Sequence, residues 1–373
     1  MTKDPSQGAA RRVLQITPYY PPHLGGMERV AQSLAETLAA RREVEVLTTA
    51  LGAADAPRRD DGRPRVRRYR AVEAAHTPLS PGIFTALMRA PRGAVWHLHC
   101  AGALVAEQVM AAARLRGQKY LLHFHLDVDS SGPLGWLLPA YKKHVFARAV
   151  RAAAGVIVLT KAQATFVEET YRVAPDRIHI VPNGIGPGYF LAPRQPDPDP
   201  GRPLRLLFVG RLEVQKNVAR LLDALALAAG KIELRVVGDG SLRGDLERQA
   251  AALGLSVEFA GSLFGDDLLR AYAEADAFVL PSDREGMALV ALEAMAAGLA
   301  VIATDVPGNT DLIGGRGLLA APEPAALAKA LDQVAADPAL RAELARRCAQ
   351  AAREYSWDVV ADRVERIYGE VYG

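Results

Sequence analysis

The sequence predicts an α/β fold made of two Rossmann-like domains, each a doubly wound parallel sheet, that face a cleft. Short apolar segments alternate with amphipathic ones along most of the 373 residues. This alternation is typical of strands buried on both faces of a parallel sheet and of the helices that cover them. A Pro/Gly-rich stretch at 185–203 interrupts the alternation, which then starts again. The chain is also too long for one ordinary core.

The first domain, residues 1–188, is predicted to hold six buried strands. The helix after the first strand carries Val30, Leu34 and Leu38 on one face, which indicates that this face packs on the sheet. The strands are predicted at 12–17, 44–49, 95–99, 119–125, 155–160 and 178–184.

The second domain, residues 189–355, repeats the pattern, and residues 356–373 follow it as a helical tail. Its strands are predicted at 204–210, 233–240, 256–261, 277–282 and 299–305. The tail has apolar residues at helical spacing, namely Val359, Val360, Val364, Ile367 and Val371. We therefore expect the tail to pack back onto the first domain.

Composition and charge exclude several classes of protein. The formal net charge of +3 is small for this length and gives no reason to expect a nucleic-acid partner. Cys100 and Cys348 are the only cysteines and lie far apart, which argues against a disulfide framework. The first residues lack an apolar signal core, and no run of 18 apolar residues follows. We expect a cytoplasmic monomer or homodimer, and peripheral membrane association stays open.

Two cations follow the first strand of the second domain. Arg211 and Lys216 stand five residues apart in a strand-to-helix loop, where such a sheet presents its binding edge. A guanidinium fork and an ammonium point charge can converge there on one polyanion. Two solvated charges before a helix are the alternative interpretation.

The loop after the next strand is rich in glycine. Gly238, Gly240 and Gly244 would let the backbone approach a phosphate group. Their spacing is not G-x-G-x-x-G, and the G-x-x-x-x-G-K-[ST] motif of P-loop proteins does not occur. A dinucleotide fingerprint is therefore only weakly indicated.

Glu285 and Glu293 lie in an otherwise apolar stretch, REGMALVALEAMAAGLAVIATDVPG. We expect a helix from near Met287 to about Ala297, ended by Gly298, with its first amides toward an anion. Eight residues of helix span about 12 Å at ~1.5 Å each, so the two carboxylates can hold hydroxyls on either side of a diphosphate. A neighbouring arginine that satisfies Glu293 is the structural alternative. A glycosidase pair is a second one, although its carboxyl groups stand roughly 5–9.5 Å apart.

These motifs together resemble the retaining glycosyltransferases of family 4, which have the GT-B fold of two Rossmann-like domains. The resemblance rests on Gly210-Arg211-Leu212 with Lys216, on VVGDG, and on PSDREGMALVALEAMAAGLAVIATDVPG. In the first domain, PYYPPHLGGMERVAQSLAETLA and IHIVPNGI also match, and the similarity extends to SWDVVADRVERIY at the end. It thus covers nearly the whole chain.

The resemblance implies a role for individual residues. Arg211 and Lys216 would stabilise the leaving diphosphate, Glu285 would contact the donor sugar, and Glu293 would hold the ribose. His125 in HFHLD matches the family's active-site histidine; by strand alternation alone, His123 shares its face, and His97 and His99 read as strand-end histidines. Further donor-binding positions are Gly25, Gly26, Gly238, Gly261, Leu263, Gly286, Met287, Ala288 and Leu289.

One position departs from the family pattern, and one short motif is similar to that of another fold. Gly186 stands where many relatives have aspartate. Asp127 and Asp129 spell D-x-D, but this first-domain loop lies away from the donor half, so we interpret them as acceptor-side or solvated acids. No metal and no cofactor are implied beyond the nucleotide-sugar co-substrate.

The predicted function is retaining transfer of a sugar to a hydroxyl of a small polar acceptor. A UDP-sugar such as UDP-GlcNAc or UDP-Glc is the expected donor, and the overall look resembles actinobacterial enzymes that glycosylate an aminocyclitol in antibiotic biosynthesis. GDP-mannose is the alternative donor, and inositol-phosphate or lipid-linked glycans are alternative acceptors, which the cations of 57–70 would suit. An NAD-dependent Rossmann enzyme and a two-lobed binding protein are the alternatives outside this class.

Overall fold

The computed structural model describes residues 12–23, 25–53, 56–74, 77–100, 104–125, 138–191 and 201–373. Contacts divide the chain into two compact units. The first comprises Met1–Gly184 together with Trp357–Gly373, and the second is Ile185–Ser356.

An eight-stranded sheet forms the centre of the first unit, and a small antiparallel hairpin lies beside it. The strand order of the sheet is β10-β9-β8-β7-β1-β2-β4-β3, with every pairing parallel except that of β3 with β4. The strands are β1 (Val13–Ile16), β2 (Val44–Thr49), β3 (Arg59–Asp60), β4 (Arg65–Tyr69), the hairpin β5 (Val72–Ala74) and β6 (Thr77–Leu79), β7 (Val95–Cys100), β8 (Leu121–Phe124), β9 (Gly155–Val158) and β10 (Ile178–Ile180).

Helices cover both faces of this sheet. They are α1 (Gly26–Ala39), α2 (Pro81–Arg89), α3 (Val105–Arg116), α4 (Leu138–Tyr141), α5 (Ala147–Ala152) and α6 (Lys161–Tyr171), with a π-helical stretch, Lys142–Phe146, between α4 and α5. Because both sides of the sheet are covered, its strands are buried on both sides; β9, for example, is apolar and buried at every position. On α1, Val30, Leu34 and Leu38 form the buried face that the sequence predicts.

The second unit has a six-stranded parallel sheet of order β13-β12-β11-β14-β15-β16. Its strands are β11 (Leu204–Val209), β12 (Ile232–Val237), β13 (Val257–Gly261), β14 (Ala277–Leu280), β15 (Ala300–Thr304) and β16 (Leu318–Ala320). Its helices are α7 (Val218–Leu227), α8 (Arg243–Ala252), α9 (Gly265–Glu274), α10 (Leu289–Ala296), α11 (Pro307–Ile313), α12 (Pro324–Ala336) and α13 (Pro338–Ala352). The prediction of two doubly wound parallel-sheet domains is confirmed.

The last helix, α14 (Trp357–Tyr372), belongs to the first unit. Its apolar face, which includes Val360 and Val364, shares a buried cluster with Leu34 and Leu38 of α1. The Trp96 amide donates to the Tyr372 hydroxyl at 3.0 Å, so the helix also contacts the start of β7. Within the described residues, no helix has both the length and the apolar character needed to cross a membrane.

Candidate active site

An ion pair marks the point where the strand order of the second sheet reverses. From β11 the chain runs outward to β12 and β13, then returns to β14 on the other side of β11. Lys216 follows β11 and Glu285 follows β14, and the Lys216 Nζ lies 2.6 Å from the Glu285 Oε1. Their side chains are 17% and 6% exposed. Open α/β sheets bind ligands outside the strand ends at this switch point, so the pair stands where a ligand is expected.

Hydrogen bonds hold the two loops of this ion pair together. The Gln215 side-chain amide donates to the Arg284 carbonyl at 2.7 Å, and the Asp283 amide donates to the Gln215 carbonyl at 2.9 Å. Asn217, in the left-handed region at φ 44°, caps α7 by accepting from the Arg220 amide at 3.1 Å and donates to the Asp283 carboxylate at 3.0 Å. Lys216 and Glu285 are therefore carried by one cross-linked pair of loops.

Arg211 lies apart from this pair. Its side chain is exposed, and it makes no hydrogen bond or ion pair with any part of the chain that the structure describes. The two cations thus differ in their surroundings: Lys216 pairs with Glu285, whereas the Arg211 side chain has no partner among the described residues. Their convergence on one polyanion stays a prediction. Sequence reasoning treated Lys216 and Glu285 separately and missed their pairing.

Glu293 is buried, and a tyrosine is among its partners. Glu293 lies on α10 and is 1% exposed. The Tyr272 hydroxyl of α9 donates to its Oε2 at 2.8 Å. A buried carboxylate needs such a donor because desolvation without one costs several kcal/mol. The structural alternative named an arginine as this donor, and the hydrogen bond comes from Tyr272. The buried face of α9, which Tyr272 shares with Leu268 and Ala271, is the signal that could have found it.

Helix α10 begins two residues later than predicted. It starts at Leu289, with Ala288 in extended conformation at its N-cap position, and Gly298 follows its end at φ 74°. Gly286, Met287 and Ala288 therefore belong to the loop, and Met287 and Ala288 are buried in it. The span from Glu285 to Glu293 is half loop and half helix, so the estimate of about 12 Å from helical rise alone does not apply.

Glycines let the neighbouring loops of this unit pack against each other. Gly238 has φ 132°, and a Cβ there would lie 1.9 Å from the Gly210 carbonyl oxygen. A Cβ on Gly240 would lie 2.4 Å from the Leu212 carbonyl oxygen. The Gly238 amide also donates to the carbonyl of Gly261 at 2.8 Å, and Leu263 follows, half buried. The loop that carries Arg211 is thus seated on the glycine loop.

Replacing Gly238 with alanine is expected to destabilise the second unit by about 2 kcal/mol or more, since the side chain meets a backbone oxygen in a conformation that favours glycine. Thermal unfolding and nucleotide binding measure the effect. Gly244→Ala is the matched control in the same segment, because its Cβ would have ordinary contact, 3.5 Å from Arg248. An unchanged melting temperature for Gly238→Ala would contradict this account of the loop.

Gly308 is a further close-packed position that sequence reasoning did not single out. A Cβ there would lie 2.3 Å from the carbonyl oxygen of Glu285 and 2.6 Å from that of Gly286. Asn309 donates to the Thr304 carbonyl at 3.0 Å, which fixes the start of α11 against the end of β15. The backbone beneath Glu285 therefore rests directly on α11.

Four histidines form a buried cluster in the first unit. His97 and His99 lie on β7, His123 lies on β8 and His125 follows it. The His97 Nε2 is 3.2 Å from the His123 Nδ1, and the His99 Nδ1 is 2.9 Å from the His125 Nε2. Tyr368 of α14 completes the first pair, with its hydroxyl 2.6 Å from the His97 Nδ1. The cluster thus joins His125 to two histidines that the sequence indicated only as strand-end residues.

Burial keeps these imidazoles neutral. It lowers the pKa of His97 and of His125 to about 3, and it holds the pKa values of His99 and His123 well below the ordinary range. Neighbouring rings stack, with an angle of 19° between His123 and His125. At neutral pH the cluster offers lone pairs and N–H groups rather than positive charge.

By composition the same cluster could hold a metal ion. His97, His99 and His123 can each offer one nitrogen, and these nitrogens lie within 4.8 Å of one another. However, an ion binds a ring nitrogen in the plane of its ring, and these rings stack at angles of 5°, 28° and 29°. Binding would require the rings to turn. The expectation that no metal is required stays a prediction.

The remaining predicted residues lie at the start of α1 or outside the described residues. Gly25 precedes α1, and a Cβ there would lie 2.1 Å from a carboxylate oxygen of Glu28. Gly26 has open space around its Cα, so nothing nearby in the structure requires glycine there. Asp127 and Asp129 lie outside the described residues.

Comparison with known proteins assigns the chain to a family. Residues 24–188 match the family model described as Glycosyltransferase Family 4, and residues 193–355 match the model described as Glycosyl transferases group 1. The D-inositol 3-phosphate glycosyltransferase of Salinispora tropica is 31% identical, and the similarity covers 93% of this chain and 81% of that protein. The chain belongs to glycosyltransferase family 4. It is therefore an enzyme of the hexosyltransferase class, as predicted.

Solved structures of other proteins agree with the fold. Sucrose-phosphate synthase from Thermosynechococcus elongatus superposes with a TM-score of 0.75 at 22% identity, covering 97% of this chain and 99% of that one. Anabaena HepE in complex with UDP and glucose gives a TM-score of 0.76 at 19% identity, covering 96% and 100%. The GT-B fold predicted from the resemblance is confirmed.

Proposed function

We propose that this family 4 enzyme transfers a sugar from a UDP-sugar to a hydroxyl of a small polar acceptor, with retention of anomeric configuration and without a metal. The observation that carries the proposal is the Lys216–Glu285 pair at the switch point of the second sheet, 2.6 Å between its charged atoms. A cation and a carboxylate side by side suit a ligand that presents phosphate and hydroxyl groups together. A nucleotide sugar is such a ligand.

In the proposed reaction, fixed positive charges stabilise the leaving diphosphate. As the bond between the anomeric carbon and the diphosphate breaks, negative charge grows on the departing oxygen. Lys216, Arg211 and the first amides of α10 would stabilise that charge, since the first N–H groups of a helix have no partner within it. The acceptor oxygen bonds to the anomeric carbon on the face from which the diphosphate leaves, and the proton of the acceptor hydroxyl passes to the departing phosphate.

Carboxylates give the donor its orientation in this proposal. Glu285 would accept hydrogen bonds from hydroxyls of the donor sugar while it holds Lys216, and Glu293 would accept from the ribose while Tyr272 fixes its rotamer. The UDP-containing complexes of Anabaena HepE support UDP as the nucleotide. The base pocket around Phe259–Leu263 would discriminate UDP from GDP.

For the acceptor we propose a cyclitol, with an aminocyclitol as the first choice. The name of the Salinispora relative supports the cyclitol class and keeps inositol phosphate as the alternative. Several arginines of 57–70 that would suit a phosphate are already committed: Arg65 pairs with Glu43 at 2.7 Å, and Arg67 with Asp61 at 2.6 Å. These residues also lie on β4 and beside it, two strands away from β1. Both observations favour an acceptor without phosphate.

An NAD-dependent enzyme receives less support. The absent side chains of Gly238 and Gly240 clear space for the backbone of the 210–212 loop, so protein already fills the room that a pyrophosphate would need at these glycines. A dinucleotide fingerprint would instead leave that approach free for the ligand.

A thermal-shift screen with UDP-, GDP-, ADP- and dTDP-sugars tests the donor, and NAD is included as the rival ligand. We expect UDP-sugars to raise the melting temperature most. The selected donor is then incubated with 2-deoxystreptamine, myo-inositol and myo-inositol 1-phosphate, while UDP release and product mass are measured and NMR reads the anomeric configuration. Stabilisation by NAD alone, or an inverted product, would contradict the proposal.

A further inference from the structure

The loop that follows β1 holds an imidazole–carboxylate pair that the proposed chemistry does not use. The His23 Nδ1 lies 3.1 Å from the Glu28 Oε1, and the two side chains are 34% and 8% exposed. The Tyr19 ring stacks on the imidazole, with centroids 4.5 Å apart and 20° between the planes. The carboxylate is thus buried behind a ring that stays partly open to solvent.

Two glycines make room for this pair. A Cβ on Gly25 would lie 2.1 Å from the Glu28 Oε2, and one on Gly52 would lie 2.4 Å from the His23 Cδ2. Gly25 has extended backbone that any residue adopts, so its requirement is space rather than conformation. Side chains at these positions would displace the pair, which shows that the loop is closely fitted around it.

The pair lies at the binding edge of the first sheet. The chain runs from β1 to β2 on one side and returns to β7 on the other, so the strand order reverses between β1 and β7. A ligand of such a sheet is expected outside the carboxyl ends of these two strands. His23 lies in the loop between β1 and α1, and His99 lies near the end of β7. The loop that holds His23 therefore follows one strand of this switch point, and the histidine cluster lies on the other strand and its neighbour β8.

We propose that His23, oriented by Glu28, is an acceptor-binding residue that takes a hydrogen bond from a hydroxyl or ammonium group of a polyol without phosphate. The His23 Nδ1 faces the Glu28 carboxylate at 3.1 Å without the geometry of a hydrogen bond. The Nε2 has no partner among the described residues and is not shielded from solvent, so it can meet a hydroxyl or ammonium group of a ligand. The carboxylate behind the ring repels a phosphate and attracts an ammonium group.

This inference rests on the proposed function and narrows its acceptor. The experiment compares wild type with His23→Ala, His23→Gln and Glu28→Gln, using a UDP-sugar with 2-deoxystreptamine, myo-inositol and myo-inositol 1-phosphate. We expect His23→Ala to raise the acceptor KM about tenfold or more, the loss of one hydrogen bond to a buried ligand group. The KM for the UDP-sugar and the thermal shift with UDP stay unchanged. His23→Gln, whose amide oxygen can accept the same hydrogen bond, recovers part of the loss.

Glu28→Gln separates the charge from the hydrogen bond. It is expected to lower the preference for 2-deoxystreptamine over myo-inositol 1-phosphate, because the attraction to an ammonium group and the repulsion of phosphate both end. His179→Ala is the matched control: His179 lies on edge strand β10, 3.9 Å from Glu370, away from the switch point. We expect it to leave all these constants unchanged.

Three results would overturn the inference: an unchanged acceptor KM in His23→Ala, an equal rise in the donor KM, or a preference of wild type for the phosphorylated acceptor. If wild type turns over no nucleotide sugar, the proposed function fails by itself. The pair is then tested by saturation-transfer NMR with 2-deoxystreptamine, where loss of the signal in His23→Ala supports the binding role and equal signals refute it.

Discussion

Replacing Lys216 with methionine is expected to lower the rate of sugar transfer by about 10²–10³-fold, the effect seen when one fixed donor is removed from a developing negative charge. Methionine is an unbranched side chain of similar length, so packing changes little, whereas the ammonium group beside Glu285 is lost. Since the charge develops as the bond breaks, kcat falls more than the donor KM rises. Initial rates over a range of UDP-sugar concentrations measure the split.

The ion pair makes a second variant necessary. Glu285 is 6% exposed at its side chain, so the single variant leaves a nearly buried carboxylate without its cation and is expected to lose about 1–3 kcal/mol of stability. Lys216→Met combined with Glu285→Gln removes both charges and recovers that stability while activity stays low. Lys329→Ala changes an exposed lysine of the same unit and serves as the control. Near wild-type turnover in a folded Lys216→Met enzyme would refute the role of the ammonium group.

The fold could be predicted from the sequence because its signals are local. Strands such as β14 are apolar at consecutive positions since both faces of a parallel sheet are covered, and α1 shows its buried face at helical spacing. The boundaries were less accurate: α10 starts at Leu289 rather than near Met287, because residues 286–288 are held by loop packing on Gly308 and not by helix formation. Nothing in the local sequence reports that contact.

The sequence predicted which residues form the candidate site, but not which of them contact each other. The motifs singled out Lys216, Glu285 and Glu293, yet the bonds Lys216–Glu285 and Tyr272–Glu293 join segments 69 and 21 residues apart. Such pairs depend on strand order and helix packing, which single-sequence patterns do not specify. His99–His125 follows the same rule, since only the register of β7 against β8 brings these rings together. The sequence shows which chemical groups are present, whereas the contacts between them depend on the fold.

Acidification is expected to destabilise the first unit steeply, because four buried histidines must stay neutral for it to fold. An unfolded histidine takes up a proton below its ordinary pKa of about 6.5, while burial holds the pKa of His97 and His125 at about 3 and depresses those of His99 and His123. Above pH 6.5 both states are neutral and stability is complete. As the pH falls below 6.5, the unfolded state binds protons that the folded state does not bind, and the free energy of unfolding decreases.

The expected size is large. Each of His97 and His125 costs about 1.4 kcal/mol per pH unit below 6.5, so at pH 5 the loss is about 2 kcal/mol for each and about 4 kcal/mol for the two. His99 and His123 act in the same direction. This is a large part of the free energy of unfolding of an ordinary domain. Among the groups that act on these rings, the described residues supply other histidines and the hydroxyl of Tyr368, whose pKa burial raises, but no carboxylate that would stabilise an imidazolium.

Urea unfolding followed by tryptophan fluorescence at pH 7.5, 6.0 and 5.0 measures this dependence in the first unit alone. Trp96 and Trp357 belong to that unit, and residues 185–356 contain no tryptophan. Replacing His97 and His123 with glutamine removes two of the four buried titrating groups, so the slope of stability against pH is expected to halve whatever the change in stability at pH 7.5. His144→Gln alters an exposed histidine and should leave the slope as it is. Equal urea midpoints at pH 7.5 and 5.0 would mean that the cluster accepts protons in the folded state, and the neutral network of His97, His123 and Tyr368 would have to be abandoned.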